Sequence, residues 1–164
     1  MASLKPKQNP KGMGEFSMIQ NQIAEVKISY TSKTKCADRI KVVTSLEAVE
    51  AIRKIWPSYE HIEFAYVVLL NRHNQILGVH QLSKGGMNGT VIDLRVIFQV
   101  ALKANANSII LAHNHPSGNL EPSKADREIT LKVKEAGKVL EIPLLDHIIL
   151  TAEGHLSFAD EGYL

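Results

Sequence analysis

The sequence predicts an α/β fold in which a mixed β-sheet is flanked by helices. Three observations lead to this fold class: two apolar runs separated by a short polar turn, a further apolar run of strand length, and helical periodicity on both sides of that run. A hairpin followed by strand, helix and strand requires antiparallel and parallel neighbours in one sheet, and helices cover the faces of such a sheet.

The first half of the domain predicts one helix and one hairpin. Thr44 and Glu47 supply good capping chemistry for a helix, and Pro57 is expected to stop it. Strands are expected over 63–70 and 75–82, joined by a polar turn. The expected apolar face of the helix consists of Leu46, Val49, Ile52, Ile55 and Trp56.

The second half predicts two helices and two longer strands. The expected elements are a helix over 91–104, a strand over 108–113, a helix from Ser123 to about Leu140, a strand over 142–150 and a closing hairpin over 151–158. The apolar face of the last helix is expected to contain Ile129, Val133, Ala136 and Leu140.

Composition points to an ordinary globular protein of the cytoplasm. The chain has 164 residues, of which 45% are hydrophobic and 22% charged, and it has no apolar run long enough to span a membrane. It begins without the apolar segment of a secretory signal. Its single cysteine, Cys36, excludes an internal disulfide framework and fits a reducing compartment.

Charge divides the chain into a basic leader and a mildly acidic body. Residues 1–41 hold eight Lys/Arg and three Asp/Glu, net +5, whereas 42–164 hold eleven and fourteen, net −3. Residues 1–43 are therefore interpreted as a basic, partly flexible extension, and 44–164 as the domain. Only the leader offers phosphate contacts, so direct DNA binding by the body is not expected. The sequence leaves the oligomeric state open.

A metal site is predicted where the strand over 108–113 ends. Residues two apart on a strand point to the same side, so His113 and His115 can present both imidazoles to one point from positions roughly 7 Å apart along the chain. Asp126 lies in the first turn of the next helix, where it can turn back towards them. Three protein ligands leave one zinc coordination position open for water, which is typical of a catalytic site.

Simpler interpretations of these residues compete with metal binding. Ser123 and Asp126 also form a capping-box variant, and an acid at that position is far more often a cap than a ligand. The two histidines could also be a polar strand end. Convergence of all three at the end of one strand is what favours the metal site.

The same residues resemble a known metalloprotease motif. His113-x-His115, seven residues, Ser123, two residues and Asp126 match the metal motif of the JAMM (MPN/JAB) superfamily. The sequences of the segments over 111–118, 145–147 and 157–162 are similar to those of the RadC-like branch of bacterial JAB domains, a family associated with DNA repair. The resemblance runs from about residue 44 to the end and implies the MPN/JAB, cytidine-deaminase-like architecture.

The resemblance also implies a mechanism. It calls for Zn²⁺ held by the two histidines and the aspartate, with a glutamate on an earlier strand as general base. Glu63 is favoured for that base, and Glu60 is the other candidate. Ser123 would donate its hydroxyl to the oxyanion, a role partly exclusive with capping. His147 is interpreted as a structural or supporting residue rather than a ligand.

This chain departs from the family pattern at two points that bear on function. Longer members of the family carry a DNA-binding helix-hairpin-helix module, for which this chain has no room. The family's Pro-Arg-Glu is replaced by Leu94-Arg95-Val96, which bears on substrate choice. The sequence thus implies a zinc metallohydrolase of peptide or isopeptide amide bonds, acting on a protein or peptide substrate. The alternative is a non-enzymatic, DNA-repair-associated accessory module that retains the metal site.

Overall fold

A computed structural model describes residues 30, 32, 34–57, 61–85 and 92–164 of the chain. The expectations for the leader over 1–29, for Glu60 and for Val91 fall outside these ranges. The described elements are a short 3-10 helix (Cys36–Asp38), α1 (Ser45–Arg53), β1 (Phe64–Leu70), β2 (Ile76–Lys84), α2 (Leu94–Lys103), β3 (Ser108–Asn114), α3 (Lys124–Val139), β4 (Leu144–Leu150) and β5 (His155–Ser157).

The strands form one five-stranded sheet in the order β2-β1-β3-β4-β5. β1 pairs antiparallel with both β2 and β3, β3 pairs parallel with β4, and β4 pairs antiparallel with β5. α3 is the crossover that a parallel pair requires, because it connects β3 to β4. The expected mixed sheet with flanking helices is confirmed.

Two hydrophobic clusters lie on opposite faces of the sheet. Every residue of β1 is buried, and alternate side chains go to opposite clusters. Tyr66, Val68 and Leu70 pack in the cluster that contains Val49 and Ile52 of α1. Val67 and Leu69 pack in the cluster that contains the buried residues of α2 and Val133 of α3. Because β3 residues 109 and 111 belong to the second cluster, residue 113 faces the same side.

The helix α1 differs from its expected form at both edges of its apolar face. It ends at Arg53, before Pro57, so Ile55 lies beyond it and is 46% exposed, and Leu46 in the first turn is 55% exposed. The buried face consists of Ala48, Val49, Ala51 and Ile52. Two alanines, Ala48 and Ala51, are thus buried where the apolar pattern had indicated Leu46 and Ile55.

The start of α2 differs from the predicted start by a few residues, for a local reason. α2 begins at Leu94 rather than at 91, because the Asp93 side chain caps it by accepting from the Arg95 N–H at 2.8 Å. Leu102, near the C-terminal end of α2, is 53% exposed. Within the described ranges, no helix is long and apolar enough to cross a membrane.

The buried face of α3 contains residues that its apolar pattern did not indicate. Thr130, Val133 and Gly137 are buried, whereas Leu140, expected on that face, is 40% exposed at the C-cap. Gly137 is required by a close approach, since a Cβ there would lie 2.5 Å from the carbonyl oxygen of Ile142. The helix therefore packs against the sheet through a narrow face that includes one hydroxyl.

Candidate metal centre

β3 presents the two candidate histidines side by side. His113 lies within β3, pairs in register with Ala65 of β1, and is 1% exposed. His115 follows the strand, but its N–H still donates to the carbonyl of Leu150 on β4 at 2.9 Å. This extra hydrogen bond continues the ladder beyond β3, so both imidazoles lie on the same side of the sheet.

A tight turn brings the third candidate ligand back to the strand end. Gly118 adopts a positive φ of 78°, and its N–H donates to the His115 carbonyl at 3.1 Å. The chain then enters α3 through Ser123, whose side chain accepts from the Asp126 N–H at 3.1 Å. Asp126 consequently lies in the first turn of α3, facing β3.

The ligand atoms of the three residues converge. The Nε2 atoms of His113 and His115 are 2.9 Å apart. Oδ1 of Asp126 lies 3.1 Å from Nε2 of His113, and Oδ2 lies 3.5 Å from Nε2 of His115. The three side chains therefore form a group that can hold a metal ion.

Asp126 caps α3 and faces the two histidines at the same time. Its Oδ2 accepts from the Ser123 N–H at 2.7 Å and from the Ser123 hydroxyl at 2.6 Å, which completes a capping box. The same carboxylate faces both imidazoles. Capping thus fixes the orientation of the carboxylate without withdrawing it from the histidines. In this geometry the Ser123 proton points at Asp126.

Electrostatics keep the acid of this group ionised. Burial opposes ionisation of Asp126, but hydrogen bonds from His113, His115 and Ser123 outweigh it and hold the pKa of the carboxyl far below its usual range. The hydrogen bond to Asp126 in turn raises the pKa of His115. Separately, the Nδ1 atom of His115 lies 2.7 Å from the Asn119 carbonyl oxygen. That carbonyl can only accept, so Nδ1 carries a proton and Nε2 is the atom that faces the group.

Glu63, the predicted base, immediately precedes β1 and is half-buried. Burial raises the pKa of its carboxyl, while the charges of His113 and His115 lower it and that of Asp126 raises it. The Glu63 side chain therefore lies within electrostatic reach of all three candidate ligands.

Asn114 holds the segment around Glu63, and sequence analysis missed it. This fully buried side chain accepts from the Phe64 N–H at 2.7 Å and donates to the Ile62 carbonyl at 3.0 Å. The Glu63 carbonyl itself accepts from the Gly85 N–H at 2.9 Å. A polar amide between two histidines at the end of an otherwise apolar strand was the available signal.

His147 contacts His113 at Nδ1, the ring nitrogen that does not face Asp126. It is fully buried on β4, and its Nε2 lies 2.9 Å from Nδ1 of His113. Its Nδ1 lies 2.6 Å from the Thr130 hydroxyl, and the ring stacks on Phe158 with centroids 4.8 Å apart. Burial first, then the charge of His113, lowers the pKa of His147 well below its ordinary value. Thr130 had no signal in the sequence, because a single threonine within a helix is uninformative.

Comparison with known families decides the classification. Residues 43–163 match the model of the RadC-like JAB domain. The chain belongs to the RadC-like JAB domain family. This agrees with the resemblance inferred from the histidine motif and with the mixed sheet.

Individual relatives of the RadC-like JAB domain share the same stretch. The chain is 39% identical over 153 residues to a UPF0758 protein of Flavobacterium johnsoniae, covering 93% of this chain and 66% of that protein. It is 35% identical over 162 residues to a UPF0758 protein of Chlorobium chlorochromatii, covering 99% and 72%. A Staphylococcus haemolyticus UPF0758 protein is 44% identical over 101 residues, covering 62% and 44%. The matched region covers 66%, 72% and 44% of the length of these three relatives. Their shared name specifies no reaction.

Proposed function

We propose that this RadC-like JAB domain is a zinc-dependent hydrolase of the JAMM type, cleaving peptide or isopeptide amide bonds. The observation that carries the proposal is the convergence of His113, His115 and Asp126 beside a half-buried Glu63. Hydrolase activity is common among JAB domains, and the arrangement of these four side chains supports it for this chain.

The donor set and its spacing fit zinc. Two imidazole nitrogens and one carboxylate are ligands that zinc accepts in catalytic sites, where a fourth position stays open. Zinc bonds of 2.0–2.1 Å in a tetrahedron separate neighbouring ligand atoms by about 3.3 Å. The observed separations of 2.9, 3.1 and 3.5 Å bracket this value. His113 and His115 would bind through Nε2, and Asp126 through a carboxylate oxygen.

Glu63 would handle the proton. When bound, zinc supplies Lewis acidity, which lowers the pKa of water towards about 7 and polarises a substrate carbonyl. Glu63 accepts one proton from the attacking water as the oxygen adds to the amide carbon. It then delivers this proton to the nitrogen as the C–N bond breaks, so a carboxylic acid and an amine leave. Its raised pKa suits the first transfer, because a more basic carboxylate accepts the proton of the water more readily.

Ser123 would act mainly through Asp126. Its single hydroxyl proton is donated to Oδ2 of Asp126 at 2.6 Å. Donation to an oxyanion requires this proton to leave the carboxylate, so the two roles alternate rather than coexist. We therefore expect Ser123 to donate its hydroxyl proton to the oxyanion only after the substrate has bound.

The substrate side of the proposal is a protein or peptide met in the cytoplasm, which the single cysteine favours. DNA contact is assigned only to the basic leader over 1–41 and not to the body.

The test is chelator-sensitive cleavage. Full-length protein is incubated with a panel of fluorogenic peptides and isopeptide-linked conjugates, alone, with a chelator, and after zinc is returned. The proposal expects cleavage that is lost with the chelator and restored by zinc. If zinc binds at the site but no substrate in the panel is cleaved, the non-enzymatic accessory module is favoured instead.

A further inference from the structure

A chain of hydrogen bonds connects the backbone of one candidate ligand to the ring of another. It starts at the carbonyl oxygen of Asp126, 2.5 Å from the hydroxyl of Thr130 one turn later on α3. It continues 2.6 Å to Nδ1 of His147 on β4 and ends 2.9 Å from Nε2 of His147, at Nδ1 of His113 on β3. Thr130 is 3% exposed, and neither imidazole is more than 1% exposed.

The direction of this chain is fixed by its first member. A carbonyl oxygen has no proton to give, so the single hydroxyl proton of Thr130 goes to Asp126. The Thr130 oxygen must then accept from the protonated Nδ1 of His147. In the reverse order, two acceptors would face each other 2.5 Å apart.

The remaining protons follow from the neutrality of His147. Its ring is fully buried, and its hydrogen-bond partners within the described residues are Thr130 and His113, neither of which is an acid. A neutral ring with a proton on Nδ1 has a lone pair on Nε2, which accepts from Nδ1 of His113. Nδ1 of His113 therefore carries a proton, and Nε2 is the nitrogen that faces Asp126 at 3.1 Å and His115 at 2.9 Å. A metal ion that displaces any proton from Nε2 finds its lone pair there.

We propose that Thr130 and His147 are positioning residues that hold His113 in the tautomer whose Nε2 can bind a metal ion. The proposal rests on the metal-dependent function proposed above. Neither residue contacts the metal position, and both act through His113. His115 obtains the same tautomer from a backbone acceptor, the Asn119 carbonyl. The two histidines therefore differ in one respect: only the support of His113 is made of side chains.

This difference allows a matched pair of substitutions. Thr130→Val keeps the shape of the side chain but removes the hydroxyl, so His147 no longer has a fixed acceptor for its Nδ1 proton. Thr130→Ser keeps the hydroxyl. A second pair acts one step further: His147→Phe fills the space without an acceptor, whereas His147→Gln offers an amide oxygen to Nδ1 of His113.

The first measurement is zinc affinity of the full chain, by competition with a chromogenic chelator. Loss of a supporting group behind a metal-binding histidine weakens affinity by roughly 10–100-fold. We expect a loss of this size in Thr130→Val and His147→Phe, near wild-type affinity in Thr130→Ser, and partial recovery in His147→Gln. Wild-type affinity in a folded Thr130→Val protein would overturn the proposal.

The second measurement reads the tautomer directly and needs neither metal nor activity. Histidine ¹⁵N NMR of the metal-free wild type should show His113 protonated on Nδ1, with a mixture of tautomers in Thr130→Val. A wild-type His113 without a proton on Nδ1 would overturn the proposal, whether or not any variant folds. Should the wild type bind no zinc, the proposed hydrolase fails, while the NMR result still decides the order of the hydrogen bonds.

Discussion

The Nε2 atoms of His113 and His115 face each other at 2.9 Å. Two nitrogen lone pairs at this distance repel each other unless a proton or a cation lies between them. Asp126 adds a carboxylate 3.1 and 3.5 Å from the two nitrogens. A proton or a metal cation among these three groups would remove this repulsion, so the arrangement favours binding of a positive charge.

Zinc should bind at close to one equivalent per chain, and His115→Ala should remove most of it. The substitution leaves two ligands, which lack both the charge and the geometry of the site. The measurement is the metal content of protein purified without added metal. His80→Ala, at an exposed position on β2, is the matched control and should retain its zinc. Equal zinc in wild type and His115→Ala would refute the assignment.

Glu63→Gln should keep zinc and lose hydrolysis. The amide is nearly isosteric with the carboxylate and is not a predicted ligand, so the metal content should be unchanged. The missing base should lower the rate by roughly 10²–10⁴-fold. Turnover of a chelator-sensitive substrate is the measurement, with Glu60→Gln as the paired variant. Should Glu60→Gln lose activity instead, the base is Glu60, and full activity in both would remove the mechanism.

Asn114→Ala should lower stability and turnover more than zinc content. It removes the acceptor of the Phe64 N–H and the donor to the Ile62 carbonyl, on either side of Glu63. Orphaned buried groups cost about 1–3 kcal/mol, so the free energy of unfolding should fall by that amount in denaturant titration.

The control for this variant is Asn114→Asp, which keeps an acceptor for Phe64 but loses the donor to Ile62. Its turnover per bound zinc should lie between those of wild type and Asn114→Ala. Unchanged turnover per zinc in Asn114→Ala would show that Glu63 does not depend on this side chain.

Gly137→Ala should destabilise the fold although alanine favours helices. The helix gain is about 1 kcal/mol at an unhindered position. Here the added Cβ would lie 2.5 Å from the Ile142 carbonyl oxygen, and overpacking of this kind costs about 1–3 kcal/mol. Gly78→Ala, where a Cβ meets no heavy atom within 4 Å, is the control for thermal and chemical denaturation. Equal stability of Gly137→Ala and wild type would mean that the turn after α3 shifts freely.

DNA binding should depend on the basic leader. Residues 1–41 carry a net charge of +5 against −3 for the rest, so a chain that begins at Thr44 should bind duplex DNA more weakly at moderate salt. Fluorescence anisotropy across a salt series measures the difference, and the full-length protein should show the steeper salt dependence. Equal affinity of both proteins would contradict the charge argument.

Much of the fold followed from local pattern. Alternation and apolar runs located the strands to within a few residues, because period 2 and strand length are properties of the chain itself. Capping chemistry placed the start of α3 at Ser123 for the same reason. The ends of α1 and α2 were less predictable, since tertiary packing and the Asp93 cap decided them.

The sequence by itself determined which residues approach the candidate metal centre, because His113, His115 and Asp126 lie within one strand, turn and helix start. Only the tertiary structure decided what supports them. Asn114 acts on a segment fifty residues away, and His147 reaches His113 across a parallel strand pair from thirty-four residues away. Contacts of that kind depend on strand order and register, which no local pattern contains.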